Sequence, residues 1–400
     1  MDSVLSATVS SAAGRISCCS RRVCTAALLL LVALQSGCRA QQSWPLWESY
    51  TRSAIDPSGR VVDHSAADRT TSEGQAYAMF FALVDNDRAH FDKLLHWTQD
   101  NLADGDLSLR LPAWSWGKAP DGSWKILDHN PASDADLWIA YDLSEAGRLW
   151  HDPRYARLGS LMATHIAQQE IVIIPSLGPT LLSGPQGFHP DPSTWILNPS
   201  YMPPSLLSYF ATTQPQGPWA SVLQSVPQII FQGSPSGFAM DWVAAGSTIR
   251  PSPPPALLAT GNSNAPVIGS YDAIRVYLWL GIADPETPGV SESLSAVGAM
   301  ATYLQHHPTP PQRVDSSGRI LDQNPPVAFS AAVVPYLHAM DLPQVEKVQA
   351  DKMAAMKDPS TGLYGREAAY YDQNLVLFAT GWSEHRYQFG RDGKLTVRWK

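Results

Sequence analysis

Residues 134–150 read DADLWIAYDLSEAGRLW. Plotted at 3.6 residues per turn, the apolar side chains occupy most of the circumference rather than one stripe, the pattern of a helix buried on every side. The next segment differs: Tyr155, Leu158, Met162 and Ile166 keep to one face, as in a surface helix packed on a core. The alternation occurs upstream too. Residues 71–91 (TSEGQAYAMFFALVDNDRAHF) form an apolar helix that stops at the Asp85-Asn86-Asp87 turn, after which Phe91, Leu94, Leu95 and Thr98 mark one face of a second helix. Similar patterns return at 272–282 (DAIRVYLWLGI), 293–306, 329–340, 345–356 and 370–382. Only 170–174 and 229–232 offer short β-branched strand candidates. The expectation is an all-α chain. Inner helices buried all round, each paired with an amphipathic outer one, are what a toroid of helical hairpins needs, although no repeat of fixed length is visible.

The chain has 400 residues, 44% of them hydrophobic, 16% charged and 10% aromatic, enough for a large core. Its first forty residues read as a signal peptide. Arg15, Arg21 and Arg22 precede the apolar run at 26–34, which is too short to span a bilayer and ends in small residues. Residues 20–22 (SRR) resemble a twin-arginine signal, and 36–38 (SGC) resemble a lipoprotein acylation site at Cys38 with Gln35 where an aliphatic residue is usual. Cleavage after Ala40 and a periplasmic or secreted product are the expectation. All four cysteines (Cys18, Cys19, Cys24, Cys38) lie in that segment, so the mature domain holds no disulfide. Removing Asp2 and four arginines (Arg15, Arg21, Arg22, Arg39) from 36 acids and 28 bases leaves 35 and 24, a charge of roughly −11, which argues against nucleic acid as a partner. Residues 250–264 (RPSPPPALLATGNSN) form a loop too short to divide domains, so 41–400 reads as one catalytic domain.

Three buried-type helices open with Ser followed by a carboxylate: Ser72-Glu73, with Gln75 completing a capping box, Ser133-Asp134 and Ser270-Tyr271-Asp272. Ordinary capping, with Ser as N-cap, explains any one of them. It does not explain why buried helices are chosen. If the inner helices of a toroid run parallel, their first turns share one rim and the three acids converge. The helix dipole lowers a carboxyl pKa, which suits a base and harms an acid. A proton donor at Glu73 therefore needs desolvation and a neighbouring like charge, which Asp134 can supply. Two carboxyls with opposed demands are the equipment of glycoside hydrolysis. Trp114, Trp116, Trp124, Trp195 and Tyr201 fall in loop-like stretches, where flat rings can stack on a pyranose or, individually, simply fill the core.

TSEGQAYAMFFA, ASDADLWIAYDLSEAGRLW, NPSYMPP and SYDAIRVYLWLG resemble the glycoside hydrolase family 8 endoglucanases, especially the periplasmic cellulases that accompany bacterial cellulose synthases. The resemblance runs from about Trp47 to Trp382 and implies an (α/α)6 barrel that cleaves β-1,4-glucan with inversion. By motif, Glu73 matches the proton donor, Asp272 the general base, and Asp134 an acid that holds the sugar at the cleavage point. Trp195 and Tyr201 match cleft-lining positions, and Trp116 and Trp124 are expected there as well. Arg275, three residues beyond Asp272, can pair with it and keep it ionised. The family needs no cofactor or metal. A monomer acting on β-1,4-glucan is the expectation, and the resemblance implies a functional link to a cellulose synthase. This chain departs from the family pattern at Asp142, where relatives usually carry Ser or Ala and where a polar pocket is expected, and in the longer, Pro-rich loop at 250–264.

Other chemistries fit poorly. The eleven His are scattered without H-E-x-x-H, Asp104-Gly105-Asp106 is too short for a calcium loop, and no G-x-S-x-G elbow occurs. Two alternatives stay open: an α/α-barrel hydrolase of another polymer such as chitosan or xylan, and a glucan-binding toroid without catalysis.

Overall fold

Six helices with apolar residues on all sides form the inner wall of a ring in the computed structural model, which describes residues 43–261 and 265–400. The expected signal segment lies outside the described residues. In chain order the outer and inner helices alternate: α1 (Pro45–Ala54) and α2 (Ser72–Val84), α3 (Arg88–Leu102) and α4 (Ser133–Leu149), α5 (Pro153–Gln169) and α6 (Pro204–Thr213). Then come α7 (Trp219–Gly233), the short α8 (Pro255–Ala259) and the inner α9 (Ala273–Ile282). A broken outer helix, α10 (Val290–Ala296) and α11 (Ala299–His306), precedes the inner α12 (Val327–Ala339), and α13 (Pro343–Ala355) leads to the inner α14 (Tyr370–Ser383). Inner helices pack in the sequence α2, α4, α6, α9, α12, α14, and α14 returns to α2, which closes an (α/α)6 barrel.

Where the barrel axis runs, aromatic rings fill the space. Phe378 sits with its centroid 4.7 to 5.3 Å from those of Tyr77, Phe80, Phe81, Trp138 and Trp279, joining α14 to α2, α4 and α9. Such rings bury 150–250 Å² each and dominate core energetics. Close crossing of α9 and α12 depends on Gly281, because a Cβ there would fall 2.2 Å from the Tyr336 backbone nitrogen.

Short antiparallel strands decorate the two ends. β1 (Thr70–Thr71), β2 (Ser115–Lys118) and β3 (Trp124–Asp128) make one sheet, and β4 (Ile171–Ile174) pairs with β5 (Gly178–Leu181). β6 (Trp195–Leu197), β7 (Val243–Ala245) and β8 (Ile249–Pro251) make a second sheet, and β9 (Ile268–Gly269), β10 (Arg313–Asp315) and β11 (Ile320–Asp322) a third. β1, β6 and β9 run into the starts of α2, α6 and α9, so these sheets build the rim at the N-terminal ends of the inner helices. At the opposite end, β12 (Tyr387–Phe389) and β13 (Leu395–Val397) close the chain, with Leu395 N–H donating to Glu145 near the end of α4 at 2.7 Å.

Several sequence expectations change. Residues 229–232 lie inside α7 rather than in a strand: the apolar run there continues a helix begun ten residues earlier, and length decides between the two. The pattern at 293–306 is two helices broken at Val297-Gly298. Asp142 does not face a polar pocket. It is fully buried, neither of its oxygens has a hydrogen-bond partner among the described residues, and burial pushes its carboxyl well above the ordinary range, with Glu145 adding to the rise.

Candidate active site

Each acid is delivered to the rim by a different local device, and none of them is a Ser cap. Thr70 and Thr71 pair with Trp116 and Ser115 across β1 and β2, and the Thr71 hydroxyl then accepts the Gly74 N–H at 3.1 Å. Thr71 is therefore the N-cap of α2, while the buried Ser72 hydroxyl has no hydrogen-bond partner among the described residues. Nor does Gln75 close a capping box. Its side chain accepts from Val61 N (2.6 Å) and donates to Gly59 O and Thr98 Oγ1 (both 3.1 Å), latching α2 to its surroundings. At α4 the N-cap is Ala132, and Ser133 donates its hydroxyl to Leu182 O at 2.5 Å. Ser270 likewise serves a loop, donating to Gln312 O at 2.8 Å. The start of α9 is capped from a distance by Asp241, whose Oδ1 accepts Ser270 N (2.7 Å) and Ala273 N (2.8 Å).

One guanidinium gathers the three acids. Arg275 is almost fully buried, with its side chain 3% exposed. Its Nη1 donates to Glu73 Oε2, to Asp134 Oδ2 at 3.1 Å and to the Tyr77 hydroxyl at 3.2 Å, while Nη2 donates to Asp272 Oδ1 at 2.7 Å. Its carbon lies 5.5 Å from the centre of the Tyr201 ring. First turns of α2 and α4 and the residue before α9 thus meet at one rim, as the parallel-helix argument requires. The planar fork of Arg suits this better than the point charge of Lys, since it can serve acids on separate edges.

The acids differ in environment. Burial raises the Glu73 pKa, Arg275 opposes that rise, and Asp272 adds to it; the net shift is upward. Asp272 supplies a like charge beside Glu73, and Glu73 and Asp134, the pair the sequence pointed to, repel one another as well. Asp134 is pushed up to about 7 by burial, against the pull of Arg275, with Glu73 adding to the rise, and its Oδ1 accepts Ala135 N–H at 2.8 Å. Asp272 is the most open of the three, its side chain 30% exposed against 18% for Glu73 and 3% for Asp134. A carboxyl whose pKa is raised by burial and one that meets solvent therefore share a single cluster.

Aromatic residues divide into two groups. Tyr201 joins the cluster and tilts against Trp242 at 6.5 Å. Trp116, Trp124 and Trp195 stand on the rim sheets, and their ring contacts are with other groups. Trp116 and Trp124 stack on one another at 5.2 Å, with the Arg60 guanidinium carbon 4.7 and 4.8 Å from their centroids and Trp97 edge-on to Trp116. Trp195 stacks on His189 at 4.6 Å. Of these, Trp124 keeps the largest open surface, at 44%.

Four residues that sequence reasoning missed complete the site. Tyr77 binds Arg275, Asp241 caps α9, Tyr370 donates to Glu73 Oε1 at 3.5 Å, and Tyr371 donates to Tyr271 O at 2.6 Å. Burial raises the phenol pKa values of Tyr77, Tyr370 and Tyr371, which keeps them neutral. The first-turn rule that singled out the acids would have found Tyr370 and Tyr371 had it been applied to hydroxyls, because they open α14. Beside them runs a groove of about 820 Å³ lined by Tyr271, Gln312, Asn324, Arg366, Tyr371 and Asp372.

Comparisons with known proteins converge on one family. Residues 19–385 match the model of glycosyl hydrolases family 8. An endoglucanase of Xanthomonas axonopodis pv. citri (strain 306) is 43% identical over 359 residues, covering 89% of this chain and 90% of its own. An endoglucanase of Escherichia coli (strain K12) is 40% identical over 382 residues, covering 94% and 96%. The crystal structure of endo-1,4-D-glucanase from Vibrio fischeri ES114 superposes with a TM-score of 0.79 at 36% identity, over 89% of this chain and 99% of that one.

Proposed function

The chain belongs to glycosyl hydrolases family 8, and from that premise we propose that it is an endo-acting β-1,4-glucanase in which Glu73 is the general acid and Asp272 the general base. The reaction needs one carboxyl that delivers a proton to the leaving glycosidic oxygen and another that activates water on the opposite face of the sugar. Glu73 suits the first task because burial and the Asp272 charge hold its proton against the pull of Arg275. Asp272 suits the second because it is the most solvent-exposed of the three and its Oδ1 is fixed by Arg275 at 2.7 Å. Asp134, held by Arg275 and its own helix start, grips the sugar at the cleavage point, and Tyr201 flanks it. Trp116, Trp124 and Trp195 line the approaches along the rim sheets. The neighbouring groove, lined by Tyr271 and Tyr371, offers room for sugar units on one side of the acids.

The observation that carries this reading is the single buried guanidinium bonded to carboxyls at the starts of three separate inner helices. Its test is the release of reducing ends from carboxymethylcellulose. Glu73→Gln and Asp272→Asn each abolish release while leaving the circular dichroism spectrum unchanged; full activity in either variant refutes the assignment. Proton NMR of the first product from a β-glucan reports the α-anomer if the enzyme inverts. Chitosan and xylan run in parallel decide the polymer. Export to the periplasm or beyond rests on the segment at 1–40, and action as a monomer in support of a cellulose synthase rests on the motif resemblance. Cell fractionation and co-purification with the synthase test these two points.

A further inference from the structure

Behind Asp134 lie two carboxyls that the proposed reaction does not use. Asp136, two residues further along α4, and Glu170, immediately after the last residue of α5, are both fully buried. None of their four oxygens receives a hydrogen bond from a backbone or side-chain donor among the described residues, yet the two carboxyl groups lie within hydrogen-bonding reach of one another. Two ionised carboxylates cannot share a dry, uncompensated place. Two protonated ones can, because a neutral carboxyl carries both a donor and an acceptor and each can serve the other. Burial is the main cause of the upward shift in both, taking Glu170 to about 8 and Asp136 well above the ordinary range, with the Asp134 charge adding to each.

The surroundings place this pair at a junction. Glu170 N–H closes α5 by donating to Ile166 O at 2.9 Å, and Glu170 O accepts Leu182 N–H at 2.8 Å. Leu182 O in turn accepts the Ser133 hydroxyl, and Ser133 N–H donates to Ser183 O at 3.2 Å. The residue that precedes Asp134 is therefore held by the segment that leaves Glu170. We propose that Asp136 and Glu170 are a positioning pair, two mutually hydrogen-bonded protonated carboxyls that clamp the end of α5 to the first turn of α4 and so fix where Asp134 presents its carboxyl to Arg275. The inference rests on the reading of Asp134 as the group that holds the sugar. The titratable groups that act on the pair are each other and Asp134; Glu73 from α2 and Arg275 from α9 act on Asp134 itself. The clamp works while protonated, and its loss above about pH 8 leaves a negative charge next to Asp134.

Two substitutions separate clamp from filler. Glu170→Gln keeps a two-way hydrogen bond, amide to acid, and removes one titration. Glu170→Leu keeps the volume and removes the bond. The Gln variant retains wild-type kcat/KM at pH 6. The Leu variant loses kcat on the order of tenfold to a hundredfold at pH 6, as expected when a substrate-holding group shifts by about an ångström. Infrared spectroscopy gives a readout without substrate: the C=O band of a protonated carboxyl, present at pH 7 in the wild type, weakens in Glu170→Gln. A wild type inert on every glucan sinks the proposed activity and leaves the infrared band to judge the pair. An unchanged band, or a Leu variant with wild-type kcat and pH profile, overturns the positioning role.

Discussion

Arg275→Met separates the electrostatic role of the guanidinium from its bulk. Methionine keeps much of the stem and none of the charge. In the native cluster, burial raises the pKa of both Glu73 and Asp134, Asp134 to about 7, and Arg275 is the main influence holding them down. Without it, both rise further. An acid whose folded pKa exceeds its unfolded value favours folding most below the unfolded value, near 4, and loses that contribution as pH climbs towards the folded value. Each additional unit of upward shift costs about 1.4 kcal/mol per group once the pH exceeds the raised pKa. Removing one partner of a buried ion pair costs about 3–5 kcal/mol in general, and that range applies here at pH 8, where the acids most need a counter-charge. Near pH 4 both carboxyls are protonated in either protein, and the deficit shrinks to the lost hydrogen bonds. Urea denaturation followed by circular dichroism at pH 4 and pH 8 measures the difference. A deficit equal at the two pH values, or larger at pH 4, refutes the electrostatic account of the cluster.

Other substitutions probe the frame. Phe378→Ala removes the ring on which five others converge and costs about 3–5 kcal/mol in urea unfolding. Asp142→Ser replaces a buried acid that has no hydrogen-bond partner among the described residues and stabilises the fold at pH 7, by about 1–3 kcal/mol, a gain that shrinks as pH falls through the unfolded value of about 3.9 and the carboxyl becomes protonated in both states. Asp241→Ala releases the two N–H groups it caps at the start of α9, costing about 1–2 kcal/mol and lowering kcat because Asp272 lies between those groups; Asp241→Asn, which keeps an acceptor oxygen, recovers most of both.

Legibility followed the range of the interactions. The inner helices α2, α4, α9, α12 and α14 were readable because burial on every side leaves an apolar wheel with no polar face. Helices α1, α6 and α7 were not: α1 and α6 begin with proline and span ten residues each, and α7 carries Pro227 and a β-branched run, although proline alone does not hide a helix, since α12 carries Pro335. The capping serines misled for a physical reason. A hydroxyl at a helix start can serve its own backbone or a neighbouring loop, and Ser133 and Ser270 serve Leu182 and Gln312, partners 49 and 42 residues away. Arg275 was legible only as the near partner of Asp272. Its bonds to Glu73 and Asp134 cross 202 and 141 residues and exist only once the ring closes. The rim tryptophans show the same limit, since composition places rings in loops but cannot say that Arg60 and His189 will pack against them.

The capping alternative for the acids, which the sequence could not dismiss, is decided by where their oxygens go. A carboxylate that caps a helix accepts backbone N–H groups of its own first turn. Asp134 makes one such bond, to the residue that follows it. At α2 the cap is Thr71, the residue that opens its motif, and at α9 the N–H groups go to Asp241, distant in sequence, so Glu73 and Asp272 are relieved of that duty by other side chains. Capping by a neighbour frees a carboxylate to face a ligand without leaving the helix start unsatisfied, and so allows an acid to stand at a dipole that would otherwise fix it in place. Thr71 and Asp241 are therefore as much a part of the site's design as the acids they replace. Their position also explains why helix-start statistics alone cannot distinguish a structural carboxylate from a working one.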